Sequence, residues 1–253
     1  MAEAERKRMT TVEINCDMGE GFGLYRMGDD AALMAYITIA NVACGFHASD
    51  PSIMQATVAL AKRHGVKVGA HPSFPDLQGF GRREMKMDVG ELTAAIIYQV
   101  GALKGFLEAA RLPLNHIKPH GSLYGMAARD DSVARAVGDA AAVFGVPLLG
   151  MAGTLHETVY TARGIPFISE FYADLDYDGD GTLIISRVHE PIDIGAAADR
   201  VSRALTEGVV RSIDGGDVPV RPESICVHSD TPNAVDVARV VSETVRAHKT
   251  GTA

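Results

Sequence analysis

VEINCD, from Val12 to Asp17, and SICVHSD, from Ser224 to Asp230, stand near opposite ends of the chain and read alike. Each is a short apolar run that closes on polar, chemically capable side chains. Five more such runs lie between them: ITIAN (Ile37 to Asn41), VKVGAH (Val66 to His71), HIKPH (His116 to His120), VPLLG (Val146 to Gly150) and PFISE (Pro166 to Glu170). Only VPLLG lacks a polar residue at or near its end. Continuous apolar runs of this length mark parallel strands buried on both faces. The stretches between them read as helix, and alternating strand and helix implies parallel strands with right-handed crossovers. The choice is then between a seven-stranded β/α barrel and an open doubly wound sheet. Polar ends on first, middle and last strands alike favour the barrel, where all strand ends surround one axis. The expected fold is therefore α/β, a seven-stranded parallel β/α barrel with one site at the strand ends.

Helix signals fill the gaps. Asp29 is a plausible cap for a short helix reaching about Tyr36. Ser49-Asp50-Pro51 opens a helix that stops at Gly65, a capping residue followed by proline near the first helical position. Asp88 caps a long helix through Ala110, and Asp130 one that ends near Gly145. Thr154 to Arg163, Ile192 to Gly208 and Pro232 to Lys249 complete the set. Residues 1–11 read as a disordered tail and 12–249 as a single barrel domain. A small hairpin insertion is expected near 175–188, where YDGDG is a turn signal and TLIISRV reads as strand.

Composition narrows the function classes. A chain of 253 residues, 47% of them hydrophobic, has the material for a large core. A net charge of −8 argues against a nucleic-acid partner, since a phosphate backbone demands a basic patch. No apolar run approaches the roughly 20 residues that span a bilayer, so no membrane partner is expected. Cys16, Cys44 and Cys226 are far apart and form no CxxC, which fits reduced, packing thiols in a cytoplasmic protein.

Candidate site residues fall at the strand ends. Asn15 and Asp17 precede GEGFG, which is neither GxGxxG nor a P-loop; a tight turn near a ligand reads better than a phosphate cradle. Asn41 leads to His47 just before a helix. His71 ends a strand, a costly place for an unpaired imidazole. Arg82 and Arg83 suit a carboxylate or phosphate, although at least one of them should be a solvated charge. Lys118 and His120 are two apart, so both point to one face, and packing explains that poorly. Glu170 with Asp174, and His228 with Asp230, admit functional and structural readings alike; Asp230 competes with Thr231 to cap the last helix. Such a set suits general acid–base chemistry on a polar substrate, or a divalent metal with an open position. No HExxH or GxSxG occurs.

INCDMGEGFG, ANVACGFHASDP, VGAHPSFPDLQGFGRREM, HIKPHGSLYGMA and ICVHSDTPNAV together resemble the LamB/YcsF family over nearly the whole chain from Val12 to about Val241. The resemblance implies a barrel similar to the glycoside hydrolase/deacetylase superfamily. It also implies the role of the A subunit of an ATP-dependent 5-oxoprolinase, in which 5-oxo-L-proline, ATP and water give L-glutamate, ADP and phosphate, with subunits B and C as partners. The family's polar motif residues fall on Asn15, Asp17, His47, His71, Arg82, Lys118, His120, Glu170, Asp174, His228 and Asp230. From their chemistry we assign Asp17, Lys118, His120, Glu170 and His228 to catalysis. Asn15, Asn41, His47, His71, Arg82, Asp174 and Asp230 are assigned to substrate binding. Ser49 and Ser229 stand where the family pattern has Gly, and Leu175 where it has Arg. Two alternatives accompany this reading: a stand-alone metal-dependent amidohydrolase or deacetylase on a related lactam or amide, with Asp17, His71 and His120 as ligands, and a non-catalytic substrate-binding subunit.

Overall fold

The computed structural model describes residues 12–184 and 190–251. The expected tail at 1–11 and the 185–188 part of the expected insertion lie outside the described residues. Six strands come first: β1 (Glu13–Met18), β2 (Ile39–Ala43), β3 (Lys67–His71), β4 (Leu114–Ile117), β5 (Leu148–Gly150) and β6 (Phe167–Tyr172). Two short antiparallel pairs follow: β7 (Asp176–Tyr177) with β8 (Leu183–Ile184), and β9 (Val209–Arg211) with β10 (Asp217–Pro219). The last strand is β11 (Ser224–Val227). β1 pairs with β2 on one side and β11 on the other, and the order β1-β11-β6-β5-β4-β3-β2 closes into a barrel with every pairing parallel.

The helices are α1 (Asp30–Leu33), α2 (Pro51–His64), α3 (Val89–Ala110), α4 (Gly121–Ala127), α5 (Asp131–Phe144), α6 (Leu155–Ala162), α7 (Ile194–Thr206) and α8 (Ala234–Thr250). The carboxylates of Asp50, Asp88 and Asp130 accept from backbone N–H groups of the first turns of α2, α3 and α5. These bonds satisfy donors that have no partner within the helix. Each helix turns an apolar stripe to the barrel; α3 buries Leu92, Ile96, Val100, Leu103 and Leu107.

Two local expectations need correction, and one helix was not anticipated. HIKPH is not strand throughout: β4 ends at Ile117, because Pro119 has no N–H and restricts the residue before it. The chain nevertheless stays extended beside β3, with Lys118 N donating to Ala70 O and His120 N to Pro72 O, both at 2.9 Å. GSLYGMA forms α4, which its two glycines disguise in the sequence. The last helix begins after Asn233 and not at Asp230 or Thr231. Asp230 is engaged by Arg82 instead.

The period-two alternation of β1 decides what fills the barrel. Asn15 and Asp17 lie on one face of the strand and Ile14, Cys16 and Met18 on the other. Asp17 is level with Asn41 on β2, and Asn15 with Cys226 on β11. Gly69 on β3 must lack a side chain, since a Cβ there would meet the His116 ring at 2.2 Å.

Candidate active site

The interior below the site is polar and hydrogen-bonded throughout. Asn15 Nδ2 donates to Ser224 Oγ at 2.8 Å. Asn41 Nδ2 donates to Asn15 Oδ1 at 2.8 Å and to Asp17 Oδ1 at 2.7 Å. His116 Nε2 pairs with Asn41 Oδ1 at 2.6 Å. Burial pushes the His116 imidazole down to about 3, helped by the Lys118 charge, so the ring is neutral and donates from Nε2. Asn15, Asn41, His116 and Ser224 are all fully buried, and each needs these bonds.

Above this floor Lys118 bridges two carboxylates. Its Nζ lies 3.2 Å from Asp17 Oδ1 and 2.8 Å from Glu170 Oε1. It also donates to Asn15 Oδ1 at 3.2 Å and lies 3.0 Å from Cys226 Sγ. Burial alone would neutralise this ammonium, but the carboxylates of Asp17 and Glu170 hold its pKa well above the ordinary lysine value. Burial would likewise protonate Asp17, yet His71 and Lys118 hold its carboxyl well below the usual range. Glu170 Oε2 accepts from the Tyr172 hydroxyl at 2.9 Å. The Cys226 thiol is pushed up by burial and stays protonated.

A histidine cluster borders Asp17. His71 Nε2 is 3.2 Å from Asp17 Oδ2, and its Nδ1 donates to Lys118 O at 2.7 Å. His120 Nδ1 is 3.0 Å from His71 Nε2, and its Nε2 donates to Phe80 O at 2.8 Å. The His47 ring stacks on His120 with centroids 3.8 Å apart, and His47 Nε2 is 3.1 Å from Glu20 Oε1. Burial lowers His47 to about 3 and His120 well below the usual imidazole value. The loop after β3 is clamped by Gln99, whose amide donates to Ser73 O and accepts from Ser73 N, both at 2.9 Å. Gly81 (φ +64°) lets the chain pass beneath His120, where a Cβ would come within 2.8 Å of the ring.

The mouth holds two ion pairs. His228 Nδ1 pairs with Asp174 Oδ1 at 3.0 Å, and its Nε2 is 3.9 Å from Asp17 Oδ2. Arg82 Nη2 pairs with Asp230 Oδ2 at 2.8 Å. Arg83 is half exposed and pairs with Asp76, so it is the solvated member of the arginine pair. The pocket lined by Asp17, His71, Lys118, His120 and His228 is small, with a cavity volume of about 30 Å³. A neighbouring cavity of about 450 Å³ shares Arg82, Gly121, Tyr124 and Leu183 with it. Leu183 belongs to β8, which places the short β7–β8 pair at the rim of both cavities.

Burial would depress the His228 imidazole, but the Asp174 charge and hydrogen bond outweigh it and raise the pKa to about 9. A histidine raised in the folded state stabilises the fold fully below its unfolded value of 6.5 and loses that contribution as pH rises through about 9. Unfolding titrations between those limits should show stability falling with pH. His228→Gln should flatten that fall; an unchanged slope would mean that the charge lies elsewhere.

All twelve sequence-assigned residues line this interior or its mouth. Sequence reasoning missed Glu20, buried beside the histidines. Its signal was the one used for Asp17, a carboxylate just past a strand end. Burial, then the Asp17 charge, pushes the Glu20 carboxyl up to about 8. Glu20, His47, His71 and His120 bring donor atoms within 4.8 Å of one another, as do Asp17, Cys226 and His228. The Lys118 ammonium already supplies a cation at Asp17 and Cys226, so the second group does not suit a metal. Ser49 has φ +74°, a left-handed conformation that costs a side-chain-bearing residue about 1–2 kcal/mol relative to glycine. The Ser229 hydroxyl approaches Glu20 Oε2 at 3.4 Å. Leu175 is buried at the rim, and its carbonyl accepts from Arg200.

No described helix is long and apolar enough to cross a membrane. The sequence model of the LamB/YcsF family matches residues 12–253. The lactam utilization protein lamB of Emericella nidulans is 47% identical over 249 residues, covering 97% of this chain and 96% of its own. The 5-oxoprolinase A subunit of Thermus thermophilus is 44% identical over 239 residues, covering 92% and 94%. The crystal structure of a lactam utilization protein from Thermus thermophilus superposes with a TM-score of 0.87 at 42% identity, over 95% of this chain and 97% of that one. On sequence and fold together, the chain belongs to the LamB/YcsF family.

Proposed function

We propose that this chain is the A subunit of an ATP-dependent 5-oxoprolinase and opens the ring of 5-oxo-L-proline to give L-glutamate. The observation that carries the reading is the Asp17–Lys118–Glu170 centre, buried at the end of a barrel whose relatives at 44–47% identity are named for 5-oxoproline or lactams. An unstrained lactam is a poor electrophile, and phosphorylation of its amide oxygen gives a reactive imidate. The sequence has no P-loop, which fits either an unusual nucleotide site on this chain or phosphoryl transfer carried out by partner subunits B and C. Water then adds to the ring carbon, with ionised Asp17 taking its proton. Lys118 and protonated His228 offset the negative charge that develops on the tetrahedral centre. Departure of the ring amine gives γ-glutamyl phosphate, and a second water releases phosphate. Arg82 lines both cavities, and in this reading its guanidinium engages the substrate carboxylate.

The test is glutamate release from 5-oxoproline with ATP, by this chain alone and with subunits B and C from a relative. Release is expected only in the full mixture. Its absence, where the same B and C subunits work with the corresponding chain of that relative, would shift the substrate to a different lactam or amide.

A further inference from the structure

We infer that Glu20, His71 and His120 form a binding site for one divalent transition-metal ion of the zinc class, with His47 holding Glu20 in place. The argument begins with where the imidazole protons are. His71 Nδ1 points at Lys118 O and His120 Nε2 at Phe80 O. A carbonyl can only accept, so both of those nitrogens carry hydrogen. The remaining nitrogens, His71 Nε2 and His120 Nδ1, are the ones left to bind a cation, and they face each other at 3.0 Å. Two ring nitrogens at that distance in a buried site need a proton or a metal cation between them.

The surroundings match a metal's requirements. Glu20 Oε1 is 3.4 Å from His120 Nδ1, adding a carboxylate oxygen to the two nitrogens. Ligands about 2.1 Å from one ion stand about 3.0 Å apart at a right angle and about 3.4 Å apart at the tetrahedral angle. Both ligating histidines donate their other N–H to a backbone carbonyl, which is how metal-bound imidazoles are oriented. His47 Nε2 donates to Glu20 Oε1 at 3.1 Å, and the Ser229 hydroxyl approaches Glu20 Oε2 at 3.4 Å. Glu20, His47, His71 and His120 are all at most 3% exposed. Two imidazoles and one carboxylate suit zinc, cobalt or iron better than magnesium, which prefers oxygen and water. Three protein ligands leave a position open.

This is not the metal set expected from sequence. Asp17 Oδ2 does lie 3.2 Å from His71 Nε2. Its other oxygen, however, is occupied by Lys118 and Asn41, and Asp17 is not in the group whose donors converge within 4.8 Å. The competing occupant is a proton on His71, shared between Asp17 and His120.

The inference goes beyond the oxoprolinase reading and is read without turnover, so either can fail alone. The full chain, stripped with chelator, is titrated with Co²⁺ and Zn²⁺ and followed by visible absorption and metal analysis. One ion per chain is expected, with cobalt bands of nitrogen–oxygen coordination. Glu20→Gln keeps the shape of the side chain and should weaken binding at least 100-fold. His47→Phe keeps the stacked ring and should weaken it about 10–100-fold, as loss of an outer partner does. Asp17→Asn should retain one ion. No uptake by the wild-type chain at millimolar metal would overturn the inference in favour of the shared proton. Binding lost in Asp17→Asn but kept in Glu20→Gln would overturn it in favour of an Asp17-centred site.

Discussion

Lys118→Met should lower turnover in the reconstituted assembly by about 10²–10³-fold and destabilise the fold by about 3–5 kcal/mol. Two different causes act together. The ammonium lies 3.2 Å from Asp17 and 2.8 Å from Glu170, and both carboxylates are buried. Removing one partner of a buried ion pair leaves charge uncompensated, which costs more than the pair itself contributes. The catalytic loss comes from a missing donor where negative charge develops; a single such donor is worth about 10²–10³ in rate. Denaturant unfolding and single-turnover glutamate release separate the two. Unchanged unfolding would mean that the carboxylates protonate at little cost, and near-normal turnover would remove Lys118 from the chemistry.

Asp17→Asn should behave differently, with turnover down about 10²–10⁴-fold and the fold largely kept. The amide oxygen can still accept from Asn41 and Lys118, which hold Asp17 Oδ1 at 2.7 and 3.2 Å. What disappears is the negative charge beside His71 and His228. The His228 pKa, which Asp17 helps to raise, should therefore fall from about 9. NMR titration of that imidazole reads the change independently of turnover. A rate within tenfold of the parent, with His228 shifted as expected, would leave Asp17 a purely structural counter-ion.

Much of this architecture is legible in the sequence because strands buried on both faces cannot hide. The seven apolar runs all became barrel strands, and the placement of polar ends on first and last strands correctly favoured closure. Boundaries were less visible. β4 stops before Lys118 because of Pro119, yet Lys118 and His120 still enter one interior, since the chain remains extended beyond the ladder. α4 was hidden because Gly121 and Gly125 lower its propensity while Leu123, Tyr124 and Ala127 are buried against the body. β9 and β10 were missed for a related reason: three-residue strands carry too little alternation to register. Glu20 was overlooked among glycines that drew attention to a phosphate loop. The hydrogen-bonded floor of Asn15, Asn41, His116 and Ser224 depends on contacts across as many as 209 positions, which no local pattern announces.

Closure of the barrel by its first and last strands has a consequence for synthesis. Asp17 emerges from the ribosome early, but Cys226 and His228, which stand beside it, are among the last residues of the barrel to appear. β1 has one permanent neighbour, β2, until β11 arrives to complete the ring. A nascent or truncated chain thus holds the lysine and the carboxylates without the strand that seals them together. Chains ending before about Ser224 would lack β11 and leave two open strand edges, one on β1 and one on β6.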